Sequence, residues 1–196
     1  MDINNEKDYK IIKKIGEGGY GEVYLIEKGS EKYVLKKIKS KLTEEDINEY
    51  NKIINILYKI NNKNIIKYYK TFREKDSLNI LMEYGGDNNL EKFIKKYKEK
   101  NELIVENIIR DIIIQICFGL KEIHKNKIIH RDLTPDNIFV DDNNQIKIGD
   151  FGISKILINK YTTKKIGKYH YFAPEIEKGE KYNNKIDIYS LGCIIY

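Results

Sequence analysis

The octapeptide His130-Arg131-Asp132-Leu133-Thr134-Pro135-Asp136-Asn137 is followed, thirteen positions after Asn137, by Asp150-Phe151-Gly152. Each half brings a carboxylate, and the first also brings an amide that can ligate a metal. Both halves border short apolar runs, Ile138-Phe139-Val140 and Ile146-Lys147-Ile148, separated by the polar turn Asp141-Asp142-Asn143-Asn144. Two such runs joined by Asp and Asn read as a β-hairpin. That hairpin would carry Asp132, Asn137 and Asp150 into one cleft, and the rest of the chain has to be compatible with it.

The chain has 196 residues, 41% hydrophobic and 34% charged, enough for one large or two small domains with a real core. It therefore reads as globular rather than disordered. No apolar run reaches the ~20 residues that cross a bilayer. The start, Met1-Asp2-Ile3-Asn4-Asn5-Glu6-Lys7, lacks the apolar stretch of a signal peptide. Cys117 and Cys193 lie inside apolar patterns, which argues against a disulfide framework and for a reducing compartment. An intracellular location, cytoplasmic or nuclear and away from membranes, is the expectation. The net charge of +6 is spread along the chain with no dense basic block. This reads as a solvated lysine-rich surface, and no specific nucleic-acid partner is expected.

Taken in order, Tyr9–Ile15 reads as a strand. It leads into Gly16-Glu17-Gly18-Gly19-Tyr20-Gly21-Glu22-Val23, a G-x-G-x-x-G-x-V pattern. Glycines there let the backbone lie close over a polyphosphate and offer unobstructed N–H groups. A dinucleotide-binding fold would need a helix directly afterwards. Instead come a strand at 23–27, the turn Gly29-Ser30, and a strand at 32–38. Alternation in the last strand places Val34 and Lys36 on one face and Lys37 on the other. Thr43-Glu44-Glu45-Asp46 has a capping-box arrangement, and Ile47, Tyr50, Ile53, Ile54, Leu57 and Ile60 recur at helical spacing. Strands are expected at 67–72 and 78–82, closing a five-stranded antiparallel sheet. A short helix is expected at 90–100. A longer one carries the apolar stripe Ile108, Ile109, Ile112, Ile113, Ile116, Leu120 and Ile123, with a structural His124 at its end.

These segments, in this order, resemble the eukaryotic protein kinase family, whose usual strings are H-R-D-x-K-P-x-N and D-F-G. The likeness is to its serine/threonine members, and in particular to the NIMA-related group. It implies an α+β fold of two lobes: a small N-lobe built on the five-stranded antiparallel sheet (1–83), a hinge (84–87), and a mainly helical, incomplete C-lobe (88–196). It also implies ATP and Mg²⁺ as cofactors and proteins as substrates. By this resemblance Asp132 accepts or orients the substrate hydroxyl, and Asn137 and Asp150 hold Mg²⁺. Lys36, in Val34-Leu35-Lys36, grips the α- and β-phosphates. Gly16, Glu17, Gly18, Gly19, Gly21 and Val23 cover the phosphates. Val34, Met82, Glu83 and Gly85 surround the nucleotide, with Glu83–Asp87 as the hinge. Arg131 marks members whose activation segment is ordered by phosphorylation, and Thr162 or Thr163 is the expected target of an upstream kinase. His130 and Phe151 stack beneath the site, and Asp187 holds the backbone of the catalytic loop.

The sequence departs from the family pattern at three places. The Glu that pairs with the strand lysine falls on Ile53, and the nearest acid on that helix face is Glu49, so either the helix has an extra turn and Glu49 makes the pair or the pair is absent. The family's Lys two residues after the catalytic Asp is Thr134, whereas the family's Thr in G-T-x-x-Y-x-A-P-E is Lys168. A swapped pair follows as an expectation, with Lys168 supplying the ammonium and Thr134 the hydroxyl. Finally, the chain stops at Tyr196, inside the family's central C-lobe helix. Apolar surface is therefore expected around Leu191, Ile194 and Ile195, with a partner covering it. The rival reading is a catalytically weak pseudokinase that binds nucleotide or protein. A small-molecule phosphotransferase is disfavoured by Ala173-Pro174-Glu175.

Overall fold

The computed structural model describes residues 9–18, 21–38, 43–74, 77–151 and 169–196. The chain divides into two compact units, Met1–Ile60 with Lys67–Tyr84, and Asn61–Ile66 with Gly85–Tyr196.

The first unit is an antiparallel sheet with one helix. Its strands β1 (Lys10–Gly18), β2 (Gly21–Lys28), β3 (Glu31–Ile38), β4 (Tyr68–Glu74) and β5 (Ser77–Glu83) lie in the order β1-β2-β3-β5-β4. Strand β1 continues past its apolar run, so that Gly16 and Gly18 pair with Val23 and Gly21. Facing residues share a side of the sheet. Val23, Lys36 and Ile80 are in register, as are Leu25, Val34 and Met82, and these six lie on one face. The opposite face carries Ile26, Tyr33, Leu35 and Leu81, packed with Tyr9, Tyr24, Tyr69 and Phe72. Lys37 belongs to this second face. Its Nζ lies 5.8 Å from the centre of the Tyr24 ring and 3.2 Å from Glu74 Oε2. Strand alternation thus separates Lys36 from Lys37 as the sequence predicts.

Helix α1 (Glu44–Lys59) opens on a reciprocal cap: Asp46 N–H donates to Thr43 Oγ1 at 3.2 Å, and Thr43 N–H to Asp46 Oδ2 at 2.9 Å. Such caps stabilise a helix by about 1 kcal/mol. Ile47, Tyr50, Ile54 and Leu57 form the buried stripe. The hydroxyl of Thr71 on β4 donates to Asn51 Oδ1 at 2.8 Å, which fixes the helix along that strand.

The second unit holds helices α2 (Leu90–Glu99), α3 (Glu106–Lys125), α4 (Pro174–Glu177) and α5 (Lys185–Ile195) and the hairpin β6 (Ile138–Val140) and β7 (Ile146–Ile148). Asn61–Ile66 lies with this unit, not with the residues on either side of it in sequence. The cause is backbone pairing with β7: Ile66 N–H donates to Ile148 O at 2.8 Å, and Ile148 N–H to Asn64 O at 2.9 Å. Helix α3 buries Ile112, Ile116, Leu120 and Ile123, while Ile109 is exposed. Gly119 permits the close approach to β7, since a Cβ there would lie 2.7 Å from Ile148 Cδ1.

On α5 the structure corrects one expectation, because Leu191 is buried rather than exposed. Helical spacing puts it on the inward face with Ile186, Asp187 and Ser190. Ser190 Oγ donates to Tyr171 O at 2.7 Å, which holds that face in place. Ile195 and Tyr196 are exposed, and Ile194 is half-buried. No described helix is long and apolar enough to cross a membrane.

Candidate active site

The loop that carries Asp132 is held from below by a buried carboxylate. Asp187 Oδ2 accepts the N–H of His130 and the Nε2 proton of His124, each at 2.8 Å. Its Oδ1 accepts the N–H of Arg131 at 2.9 Å. Burial alone would raise the Asp187 pKa. The His124 hydrogen bond, favourable electrostatics from His130 and the two backbone N–H groups outweigh it and hold the carboxyl below its ordinary value. The His130 ring makes a second link. Its Nδ1 accepts Asp132 N–H at 3.3 Å, so the proton sits on Nε2 and is donated to Gly149 O at 3.0 Å. The ring packs 4.8 Å from that of Phe151, and both side chains are buried. His130 therefore ties the backbone at Asp132 to the residue just before Asp150.

Asn137 is oriented by its neighbours. Its Nδ2 donates to the backbone O of Asp132 at 2.8 Å and to Asp132 Oδ2 at 3.3 Å. Two acceptors on one side fix the amide with nitrogen there, which leaves Oδ1 on the far side of the amide. Gly149 N–H donates to Asn137 O at 2.9 Å, extending the β6–β7 ladder by one bond and bringing Asp150 next to Asn137. Arg131 and Asp150 both have left-handed backbones, at φ 68° and 49°. Such conformations cost on the order of 1–3 kcal/mol and collect where a side chain must be aimed.

These oxygens fit a hard cation. Among the described residues no cluster of three or more His, Cys, Asp or Glu could hold a metal. One carboxylate and one amide oxygen do suit an ion such as Mg²⁺, which keeps waters and takes its other ligands from phosphates.

Thr134 is buried, and its O accepts Asn137 N–H at 3.0 Å. Lys168, the other half of the expected pair, lies outside the described residues, as do Gly19, Thr162 and Thr163.

In the first unit, Lys36 shares its sheet face with Val23, Val34 and Met82. Gly21 can only be glycine: its φ is 139°, and a Cβ would lie 1.9 Å from Lys37 O. Gly16 has no such reason, because a Cβ there would make ordinary contact, 3.6 Å from Val23 Cβ. Glu17 is exposed and pairs with Lys14 Nζ at 2.5 Å, and Gly18 ends β1. Glu49 is half-buried on α1, one turn before Ile53. At the end of β5, Glu83 donates its N–H to Lys67 O at 2.8 Å and accepts Lys67 N–H on Oε2 at 3.0 Å.

Three residues gain a role that sequence reasoning did not assign. In the second unit, Phe139 packs where Gly85 and Gly149 leave room: a Cβ on Gly85 would lie 2.6 Å from Phe139 Cγ, and one on Gly149 2.9 Å from Cε2. Gln115, between Ile114 and Ile116 on α3, accepts Asn64 Nδ2 and Ile146 N–H on Oε1, both at 3.1 Å. Its partners are distant in sequence, so no local pattern indicates this role. Tyr182 stacks on Arg131, and no local pattern indicates that.

The model of the protein kinase domain family matches residues 9–196. Curated relatives include serine/threonine-protein kinase Nek1 of Mus musculus, 36% identical over 96% of this chain and 16% of its own length. Serine/threonine-protein kinase Nek5 of Homo sapiens is 38% identical over 96% of this chain and 27% of its own. The probable serine/threonine-protein kinase nek2 of Dictyostelium discoideum is 36% identical over 96% of this chain and 47% of its own. The chain thus spans less than half the length of each of these relatives.

Proposed function

The chain belongs to the protein kinase family, with its likeness to the Nek, or NIMA-related, members, and on that premise we propose that it transfers the γ-phosphate of ATP to serine or threonine hydroxyls of protein substrates. The observation that carries this reading is the oriented pair Asp132–Asn137, joined through Gly149 to Asp150. Phosphoryl transfer asks little covalent chemistry of a protein, and much positioning and charge stabilisation. Asp132 orients the attacking hydroxyl and takes its proton. Asn137 Oδ1 and the Asp150 carboxylate hold Mg²⁺, which when bound neutralises charge on the phosphates. Lys36 holds the α- and β-phosphates. Gly16 is glycine for closeness to the nucleotide, since its own backbone and neighbours would admit a side chain. Val34, Met82, Glu83 and Gly85 border the base. Glu49 is the acid that orients Lys36. Arg131 receives a phosphate placed by an upstream kinase on Thr162 or Thr163.

The test is transfer of labelled γ-phosphate from ATP to a generic basic protein, with and without a chelator. Transfer that needs Mg²⁺ is the expected result. A nucleotide-dependent thermal shift with no transfer would select a binding module instead. The Thr134–Lys168 exchange has its own check. Lys168→Met is expected to lower kcat about 10²-fold or more with little change in nucleotide affinity, as for loss of a cation that contacts the phosphoryl group in flight. A variant as fast as wild type removes the exchange from the mechanism.

A further inference from the structure

Arg131 is the cation adjacent to Asp132 in sequence, and its guanidinium sits in an unusual setting. Its backbone is left-handed, φ 68°, a conformation few non-glycine residues take. Its Nε is buried with no hydrogen-bond partner among the described residues. What the guanidinium does meet is a ring: Cζ lies 5.5 Å from the centre of Tyr182. Tyr182 stands shortly before α5, whose Asp187 already accepts the N–H of Arg131. The approach to α5 therefore grips this arginine twice, by its backbone through Asp187 and by its side chain through Tyr182.

A ring holds a guanidinium through its π-face and uses none of the N–H donors as hydrogen bonds. A buried N–H without an acceptor is costly, so this arrangement is satisfied only in part. What the Nε lacks is an acceptor oxygen among the described residues. A planar fork of donors, held against a ring and with one N–H still to satisfy, matches the several oxygens of a phosphate. We propose that Tyr182 is a positioning residue that pre-organises Arg131 as a receptor for a phosphate monoester. The proposal rests on the reading of Arg131 given above and names the residue that makes it work. With the ring in place, the guanidinium is already oriented when the anion arrives, and less ordering entropy is lost on binding.

The experiment titrates inorganic phosphate into phosphatase-treated protein and follows binding by thermal shift and by ³¹P line broadening. Wild type is compared with Arg131→Met, Tyr182→Phe and Tyr182→Leu. The component lost in Arg131→Met defines the Arg131 site and separates it from phosphate bound elsewhere. Tyr182→Phe keeps the ring and is expected to keep wild-type affinity for that component. Tyr182→Leu is expected to weaken it about three- to thirty-fold, the range a cation–π contact spans. Tyr182→Gln gives the same comparison if the leucine variant does not fold. Phosphate bound by Tyr182→Leu or Tyr182→Gln as tightly as by wild type overturns the role of Tyr182 and leaves the reading of Arg131 standing. Equal weakening in Tyr182→Phe assigns the effect to the hydroxyl and overturns the role of the ring. Arg131→Met binding phosphate as wild type does overturns the reading of Arg131 itself.

Discussion

Asp132→Asn is expected to slow phosphoryl transfer by about 10²- to 10⁴-fold, the usual contribution of a general base. The loss should appear in kcat, with nucleotide affinity near that of wild type. The reason is geometric. The shorter bond that orients Asn137 runs to the backbone oxygen of Asp132 at 2.8 Å, and the substitution leaves that oxygen in place. The longer one, to Oδ2 at 3.3 Å, keeps an acceptor when the new amide presents its oxygen. Asn137 Oδ1 and Asp150 therefore hold their positions, and the change removes only the capacity to accept a proton. Initial rates of γ-phosphate transfer, set beside nucleotide-dependent thermal shifts, read the two effects separately. Unchanged rates would show that Asp132 does no proton work. A parallel loss of nucleotide affinity would show that its carboxylate belongs to the metal site.

What could be read from the sequence was local. The spacing from Asn137 to Asp150 leaves room for one hairpin, and β6 and β7 pair across it from Ile138 to Ile148. Period-two alternation separated Lys36 from Lys37, because the strand pleat leaves no other arrangement. The cap at Thr43 was visible because both partners lie within one turn. What could not be read depends on residues distant in sequence. Phe139 looked like one more strand residue, and its setting is made by Gly85 and Gly149. Tyr182 lies fifty-one positions from Arg131, and nothing local in either stretch announces the stacking. Gln115 lies beside the apolar stripe of α3, whose period predicts only apolar burial, yet its amide links Asn64 to β7. Leu191 was expected at the surface from its place near the last residue. The helical face it shares with Asp187 and Ser190 turns it inward. Asn61–Ile66 groups with the second unit although its neighbours in sequence lie in the first, since backbone hydrogen bonds to Ile148 decide where that segment packs.

Asp187→Ala is expected to be the most damaging substitution for stability. It strips acceptors from three donors at once: the N–H groups of His130 and Arg131, and the His124 ring. Asp187 is almost wholly buried, so water does not readily replace the lost carboxylate. Removing one partner from a buried, hydrogen-bonded charge network costs about 3–5 kcal/mol. For a chain of this size that lowers Tm by on the order of 10 °C, measurable by calorimetry or circular dichroism. Asp187→Asn keeps the volume and one acceptor, but turns an amide nitrogen toward a donor on one side, so a smaller loss of about 1–3 kcal/mol is expected. The pH dependence gives an independent check on sign. The folded pKa of Asp187 lies below its unfolded value, so the folded state binds this proton more weakly than the unfolded state does. Its contribution is fully present above the ordinary carboxylate range near 4 and is lost as pH falls through the lowered folded value. Wild type should therefore lose stability on acidification below about pH 4 more steeply than Asp187→Asn, and the gap between them should narrow as pH falls. A constant gap across that range would mean that the carboxylate's charge contributes nothing, and that shape alone holds the catalytic loop.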